Sequence, residues 1–223
     1  MRCINHFSTF VECELYILYV FCNSKKTKLK EQLEYFIRLN ISNPIDHEIA
    51  KILEIFEPKE FNEGDFFKRS DQICNKIGFL VEGSASHFGI KKNGERVTGR
   101  ISQKHDFITD LISVRTNALT PISISFLEPA KVLVASTKDM KAILEVNLTC
   151  NRLMREYMAD NVIELGKMYM LFLTGSAKER YQYIIENNPG LLKNIPLRFI
   201  ASMIGITPTQ LSRIRNKKKK KKK

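Results

Sequence analysis

The stretch from Ile195 to Asn216 constrains this chain more than any other. Pro196 suits the opening of a helix, where a missing N–H costs nothing. Leu197, Ile200, Ala201 and Ile204 then recur along one face. Gly205 follows and can take the positive φ that reverses the chain. Ile206 plugs the turn, and Thr207-Pro208-Thr209-Gln210 is a capping box with proline at the first helical position. Leu211 and Ile214 point inward, leaving Thr209, Gln210, Ser212, Arg213 and Arg215 outside. Two short helices around a glycine turn, the second polar and basic, are the layout that reads the DNA major groove. Ala201 is small because the second helix crosses there. An ordinary helical hairpin with a basic surface would not need the exposed Thr-Gln-Ser-Arg set.

On this reading the second helix lies in the major groove, its free N–H groups toward phosphate. Arg213 is placed to hold guanine O6/N7 and Gln210 adenine N6/N7. Thr207, Ser212, Arg198, Arg215 and the lysines from Lys217 onward contact the backbone and set register, with Thr209 on the same outer face.

Charge points the same way. The chain has 223 residues and a formal charge of +12. Thirteen basic residues (Lys178, Arg180, Lys193, Arg198, Arg213, Arg215 and Lys217 to Lys223) face only Glu179 and Glu186 after residue 177, while the body before it is close to neutral. A basic module on a neutral body suits a polyanion. The Lys217–Lys223 run supplies seven of those charges, so placement carries more weight than the sum.

Five cysteines form no C-x-x-C pair, which disfavours a disulfide framework and suits a reducing compartment, the cytoplasm. Neither they nor His6, His47, His87 and His105 show metal-ligand spacing, so no metal or cofactor is expected. No phosphate-binding glycine loop, nucleophile elbow or paired-carboxylate motif appears, and an enzyme is not expected.

Along the chain, Phe7 to Cys22 is apolar but carries Glu12 and Glu14, fitting neither a membrane span nor a signal peptide. Residues 1–28 stand as an N-terminal extension. Leu29, Leu33, Phe36, Ile37 and Ile41, then Ile49, Ile52, Leu53 and Phe56 predict two amphipathic helices, the second stopped by Pro58. From Lys59 the texture turns to short strands with glycine turns. Ile77 to Val81, Ser84 to Ile90, Arg96 to Ile101, Ile122 to Phe126 and Lys131 to Ala135 read as antiparallel strands, with Lys92-Asn93-Gly94 a hairpin turn. Lys138 to Leu173 is helical and nearly heptad spaced; its stripe packs on its own domain or on a second copy. Thr174-Gly175-Ser176 is a hinge before a further helix, Ala177 to Asn187.

A β-roll of short strands, a long helix, then Ala201-x3-Gly205-x5-Leu211-x2-Ile214 resembles the Crp/Fnr family of transcription regulators, and NNPGLLKNIPLRFIASMIGITPTQLSRIR suggests a branch common in Bacteroidetes. FNEGDFF, FLVEGSASHF and KKNGER match the family's turn glycines at Gly64, Gly83 and Gly94, so the resemblance covers about residues 29–216. It implies an α+β fold: N-terminal helices with an antiparallel, cyclic-nucleotide-binding-like β-roll over 29–148, a dimerisation helix over 149–175, and an all-α helix-turn-helix over 176–216, with a lysine tail over 217–223. It also implies a homodimer through Leu153, Tyr157, Leu165, Met168 and Phe172 on palindromic DNA. No wing follows the second helix. Double-stranded DNA, a second copy, RNA polymerase and an unidentified small-molecule effector are the expected partners. A roll that senses without reading DNA, and a membrane-surface protein with a basic tail, are the two competing readings.

The departures bear on the effector. The family's phosphate cassette has Gly-Glu-Leu and then Arg ten residues after the Glu. Here the matching positions are Thr109-Asp110-Leu111 and Thr120-Pro121, with His105 at a glycine position before the cassette. Without the arginine a cyclic phosphate lacks its bidentate charged partner, so cyclic AMP is not an expected effector. The recognition helix opens on Pro208 and Thr209 where the family has Arg-Glu, but keeps Arg213.

Overall fold

The computed structural model describes residues 27–188 and 190–220. It opens with α1 (residues 27–40) and α2 (Asp46–Glu54). Eight strands follow: β1 (Glu57–Phe61), β2 (Phe66–Lys68), β3 (Lys76–Glu82), β4 (Ala85–Ile90), β5 (Arg96–Ser102), β6 (Phe107–Ile108), β7 (Ser123–Phe126) and β8 (Ala130–Ser136), with a short helix α3 (Leu111–Thr116) between β6 and β7. They form two four-stranded antiparallel sheets, ordered β1-β8-β3-β6 and β2-β7-β4-β5. This is the β-roll that the family resemblance implies.

Burial explains the order. The central strands β3 and β8 are apolar on both faces, as strands covered on both sides must be. One side packs on Phe67, Ile108, Ile124 and Phe126 between the sheets. The other packs on Leu33, Ile37, Ile49, Ile52 and Phe56 from α1 and α2, with Met140, Ile143 and Leu153 from the helices after the roll. Gly78 of β3 lies where these layers meet: a Cβ there would stand 2.8 Å from Val132 and 2.9 Å from Ile108. Pro58 does stop the preceding helix, yet it also sits within β1. That strand pairs only with β8, and an edge strand tolerates a missing N–H.

The helical region after the roll divides. α4 (Thr137–Val146) ends at Asn147, whose extended backbone turns the chain, and α5 (Leu148–Thr174) begins there. Asn147 caps α5 by accepting from the Cys150 N–H. Glu48 of α2 accepts from Leu148 N–H, Thr149 N–H and the Thr149 hydroxyl at 3.1, 2.8 and 2.6 Å. A carboxylate at a helix N-terminus meets both free donors and positive dipole. The Thr149 hydroxyl and the backbone donors hold this carboxyl below its usual range despite burial. α5 then leaves the roll, about 40 Å long at 1.5 Å per residue. α6 (Ala177–Asn187), α7 (Leu191–Asn194), α8 (Leu197–Met203) and α9 (Pro208–Lys220) complete the chain.

Candidate nucleic-acid interface

The C-terminal helices build their own core from Tyr181, Ile184, Leu191, Ile195, Ile200, Ala201, Ile204 and Leu211. The turn between α8 and α9 forms as its residues dictate. Gly205 takes φ +72, and Ile206 donates its N–H to Ala201 O at 3.0 Å. A side chain at Gly205 would also meet the Phe172 ring of α5 at 3.1 Å. Gln210 Oε1 accepts from Thr207 N–H at 2.9 Å while Thr207 Oγ1 accepts from Gln210 N–H at 3.2 Å, the reciprocal capping box. Arg180 holds the turn from outside, donating to Ile204 O at 3.0 Å and Gly175 O at 2.9 Å with its guanidinium over the Phe172 ring.

With Leu211 fully buried and Ile214 half-buried, α9 turns Thr209, Gln210, Ser212 and Arg213 to solvent, with Arg215 half-buried beside them. Thr207 and Arg198 are exposed as well. The Gln210 carbonyl oxygen is engaged in the cap. A bidentate grip on adenine requires it to leave that cap. Lys217 continues the backbone of α9, and its side chain lies outside the described residues, as do residues 221–223 and the extension before residue 27.

The helix-turn-helix is seated on the roll, which the sequence does not signal. Ser202 Oγ of α8 accepts from Thr98 N–H of β5 at 2.9 Å. The Arg96 guanidinium lies 3.5 Å from the Phe88 ring centroid and 5.1 Å from that of Phe199, and donates to Ser125 Oγ at 3.1 Å. Arg198 also lies over the Phe199 ring, at 4.8 Å. Ile101 and Leu127 of the roll complete the helical core.

Inside the roll, Asp110 caps α3 by accepting from Ser113 N–H. His105 has φ +72, so the position where a glycine is expected is indeed left-handed. Asp110 and Thr120 meet, the Thr120 hydroxyl donating to Asp110 Oδ2. Leu111 is exposed, and Pro121 contributes no group to this cluster. The residue that sequence reasoning missed is Lys68. Its ammonium lies 2.8 Å from Asp110 Oδ2, 2.8 Å from Thr120 Oγ1 and 2.6 Å from Ile122 O. Lys68 is 3% exposed and Asp110 2%. Burial alone would raise the Asp110 carboxyl; the Lys68 ammonium and the Thr120 and Ser113 donors outweigh it and hold it below the usual range. Nearby, His87 Nε2 is 3.0 Å from Ser102 Oγ, and burial, reinforced by Arg100, pushes its imidazole down to about 3.

The five residues predicted for a dimer interface separate. Leu153 is 2% exposed within the chain's own core, because the first turns of α5 lie against α1, α2 and the roll. Tyr157 is also turned inward: its hydroxyl accepts from Phe107 N–H at 3.0 Å and from Arg100 at 3.3 Å. Met168 packs on the helix-turn-helix core. Leu165 and Phe172 remain exposed, joined by Met158, Val162 and Tyr169. Met158, Val162, Leu165, Tyr169 and Phe172 alternate by four and three residues, a heptad stripe.

No family model and no curated protein matches this sequence. Solved structures do match. FixK2 from Bradyrhizobium japonicum aligns at TM-score 0.62 and 14% identity, over 73% of this chain and 84% of that one. A mutant of CooA from Carboxydothermus hydrogenoformans aligns at 0.59 and 14%, over 82% of each chain. A protein from Eubacterium rectale assigned to the crp/fnr family of transcriptional regulators aligns at 0.59 and 13%, over 76% and 81%. The chain has the Crp/Fnr fold. Within the roll, Lys68 closes the Asp110–Thr120 pair with an internal ion pair.

Proposed function

We propose that this chain is a homodimeric, sequence-specific DNA-binding transcription regulator. One observation carries the reading. A capped helix on a glycine turn, its inner face buried, presents Thr209, Gln210, Ser212 and Arg213 to solvent with Arg198 and Arg215 alongside. Burial accounts for Leu197, Ile200, Ala201, Ile204, Ile206, Leu211 and Ile214 and the cap for Gln210, but neither accounts for Thr209, Ser212 and Arg213. Base edges and phosphates account for them.

The stripe from Met158 to Phe172 supports pairing of two α5 helices, with Leu165 at its centre and Leu153, Tyr157 and Met168 kept within the protomer. Two-fold pairing sets two recognition helices about one helical turn apart, on a palindromic site. The cassette supports a regulator that does not take cyclic AMP, because Asp110 and Thr120 already satisfy Lys68 and a threonine stands where an arginine would hold the phosphate. RNA polymerase as a further partner and a cytoplasmic location belong to the same proposal; among the described residues no helix is long and apolar enough to cross a membrane.

Binding of the full chain to its selected duplex tests this. Arg213→Ala should weaken binding by about 1–3 kcal/mol and relax discrimination at one position per half-site. Equal affinity of Arg213→Ala and wild type for every duplex would contradict it. In a calorimetric titration, cyclic AMP should give no saturable heat.

A further inference from the structure

We infer that the β4–β5 hairpin of the roll is a second DNA contact, laying Lys91 and Lys92 on backbone phosphates flanking the site read by α9. The inference rests on the DNA-binding reading above and adds to it a surface outside the helix-turn-helix.

The placement follows from how α8 lies on β5. Arg96, at the start of β5, reaches Phe199 near the start of α8, and Thr98 bonds Ser202 one turn later. Strand and helix therefore run in the same sense. The chain preceding Arg96 continues past the beginning of α8, on the side of Arg198. The hairpin tip lies two to three strand residues further, about 7–10 Å. In a helix-turn-helix the first helix crosses the phosphate backbone, so what projects beyond its start meets the neighbouring phosphates.

The tip is rigid and basic. Lys91 N–H donates to Glu95 O and Gly94 N–H to Lys91 O, both at 2.9 Å, with Gly94 at φ +83. Asn93 Oδ1 accepts from Glu95 N–H at 3.1 Å. Lys91 pairs with Glu95 at 3.0 Å, and exposed Lys92 makes no ion pair among the described residues. The Arg96 guanidinium over the Phe199 ring and the Thr98–Ser202 hydrogen bond tie this hairpin to α8, so the roll and the reading helix approach DNA as one body. A polyanion continuous with the one under Arg198 would give the Lys92 ammonium the counter-charge that the described residues do not.

The experiment measures the affinity of the full chain for a selected duplex across a salt series, for wild type and for Lys91→Ala/Lys92→Ala. Removing one phosphate-bound lysine should flatten the salt slope by about 0.9, so the double variant should flatten it by about 2 per protomer. Affinity should fall for every sequence alike, with the preferred motif unchanged. Lys92→Glu should weaken binding further, and the melting temperature of the variants should match wild type. An unchanged slope with binding and motif intact overturns this inference alone, and leaves the hairpin charge for an acidic protein face. A wild-type chain that binds no duplex overturns the DNA reading together with it.

Discussion

Lys68 decides the chemistry of the roll. Its ammonium and the Asp110 carboxylate are both buried, and each compensates the other. Lys68→Met should cost about 3–5 kcal/mol, because it strands a buried carboxylate, whereas Lys68→Met with Asp110→Leu should recover most of that loss. Urea unfolding of the two variants checks this, and equal losses would show that the pair is not the cause. His87 gives a pH dependence whose sign is fixed. Its folded value is about 3, below the unfolded value near 6.5, so the unfolded chain takes the proton first. Its contribution is complete above pH 6.5 and declines by about 1.4 kcal/mol per unit as pH falls toward 3. Urea midpoints at pH 7 and pH 5 should therefore differ less in His87→Gln than in wild type. At this scale the sequence was informative about loss and silent about compensation. The spacing of Asp110 and Thr120 suggested an altered cassette by resemblance alone. Lys68 lies on β2, 52 positions before Thr120 in the loop ahead of β7, and no local pattern links them.

Among elements, α8, α9 and their turn were readable because each constraint acts within a few residues. Gly205 takes positive φ, and Thr207 and Gln210 cap each other. Thr207→Ala should therefore loosen α9 by about 1 kcal/mol, seen as faster hydrogen exchange over Pro208–Arg215 with exchange in the roll unchanged. Equal acceleration in both regions would mean that the cap stabilises the whole chain. The long helical run was harder to read. Leu153 and Leu165 belong to one apolar run, yet twelve residues set them a third of a helical turn apart, and the first is in the core while the second is 69% exposed. Helical phase turns them to different sides, and the roll and the N-terminal helices cover only the first. The same holds for β1, where Pro58 reads as a stop until its edge position is known.

Over the whole molecule, the roll, the α5 stripe and the helix-turn-helix are tied together. Glu48 anchors the start of α5, Tyr157 joins it to the roll, and Arg180 and Phe172 hold its end against the turn before α9. Pairing through the exposed stripe would then fix the separation of two reading helices. Leu165→Glu with Tyr169→Glu should shift the sedimenting species from dimer to monomer and abolish tight binding to a two-fold site, while leaving the fold intact. A dimer that survives both changes would place the interface elsewhere. The central claim is that this assembly reads a DNA sequence. Selection of bound duplexes from a random pool, with the full chain and with residues 217–223 removed, tests it most directly. The same two-fold-symmetric motif should emerge from both selections, and flat enrichment in both would contradict the claim.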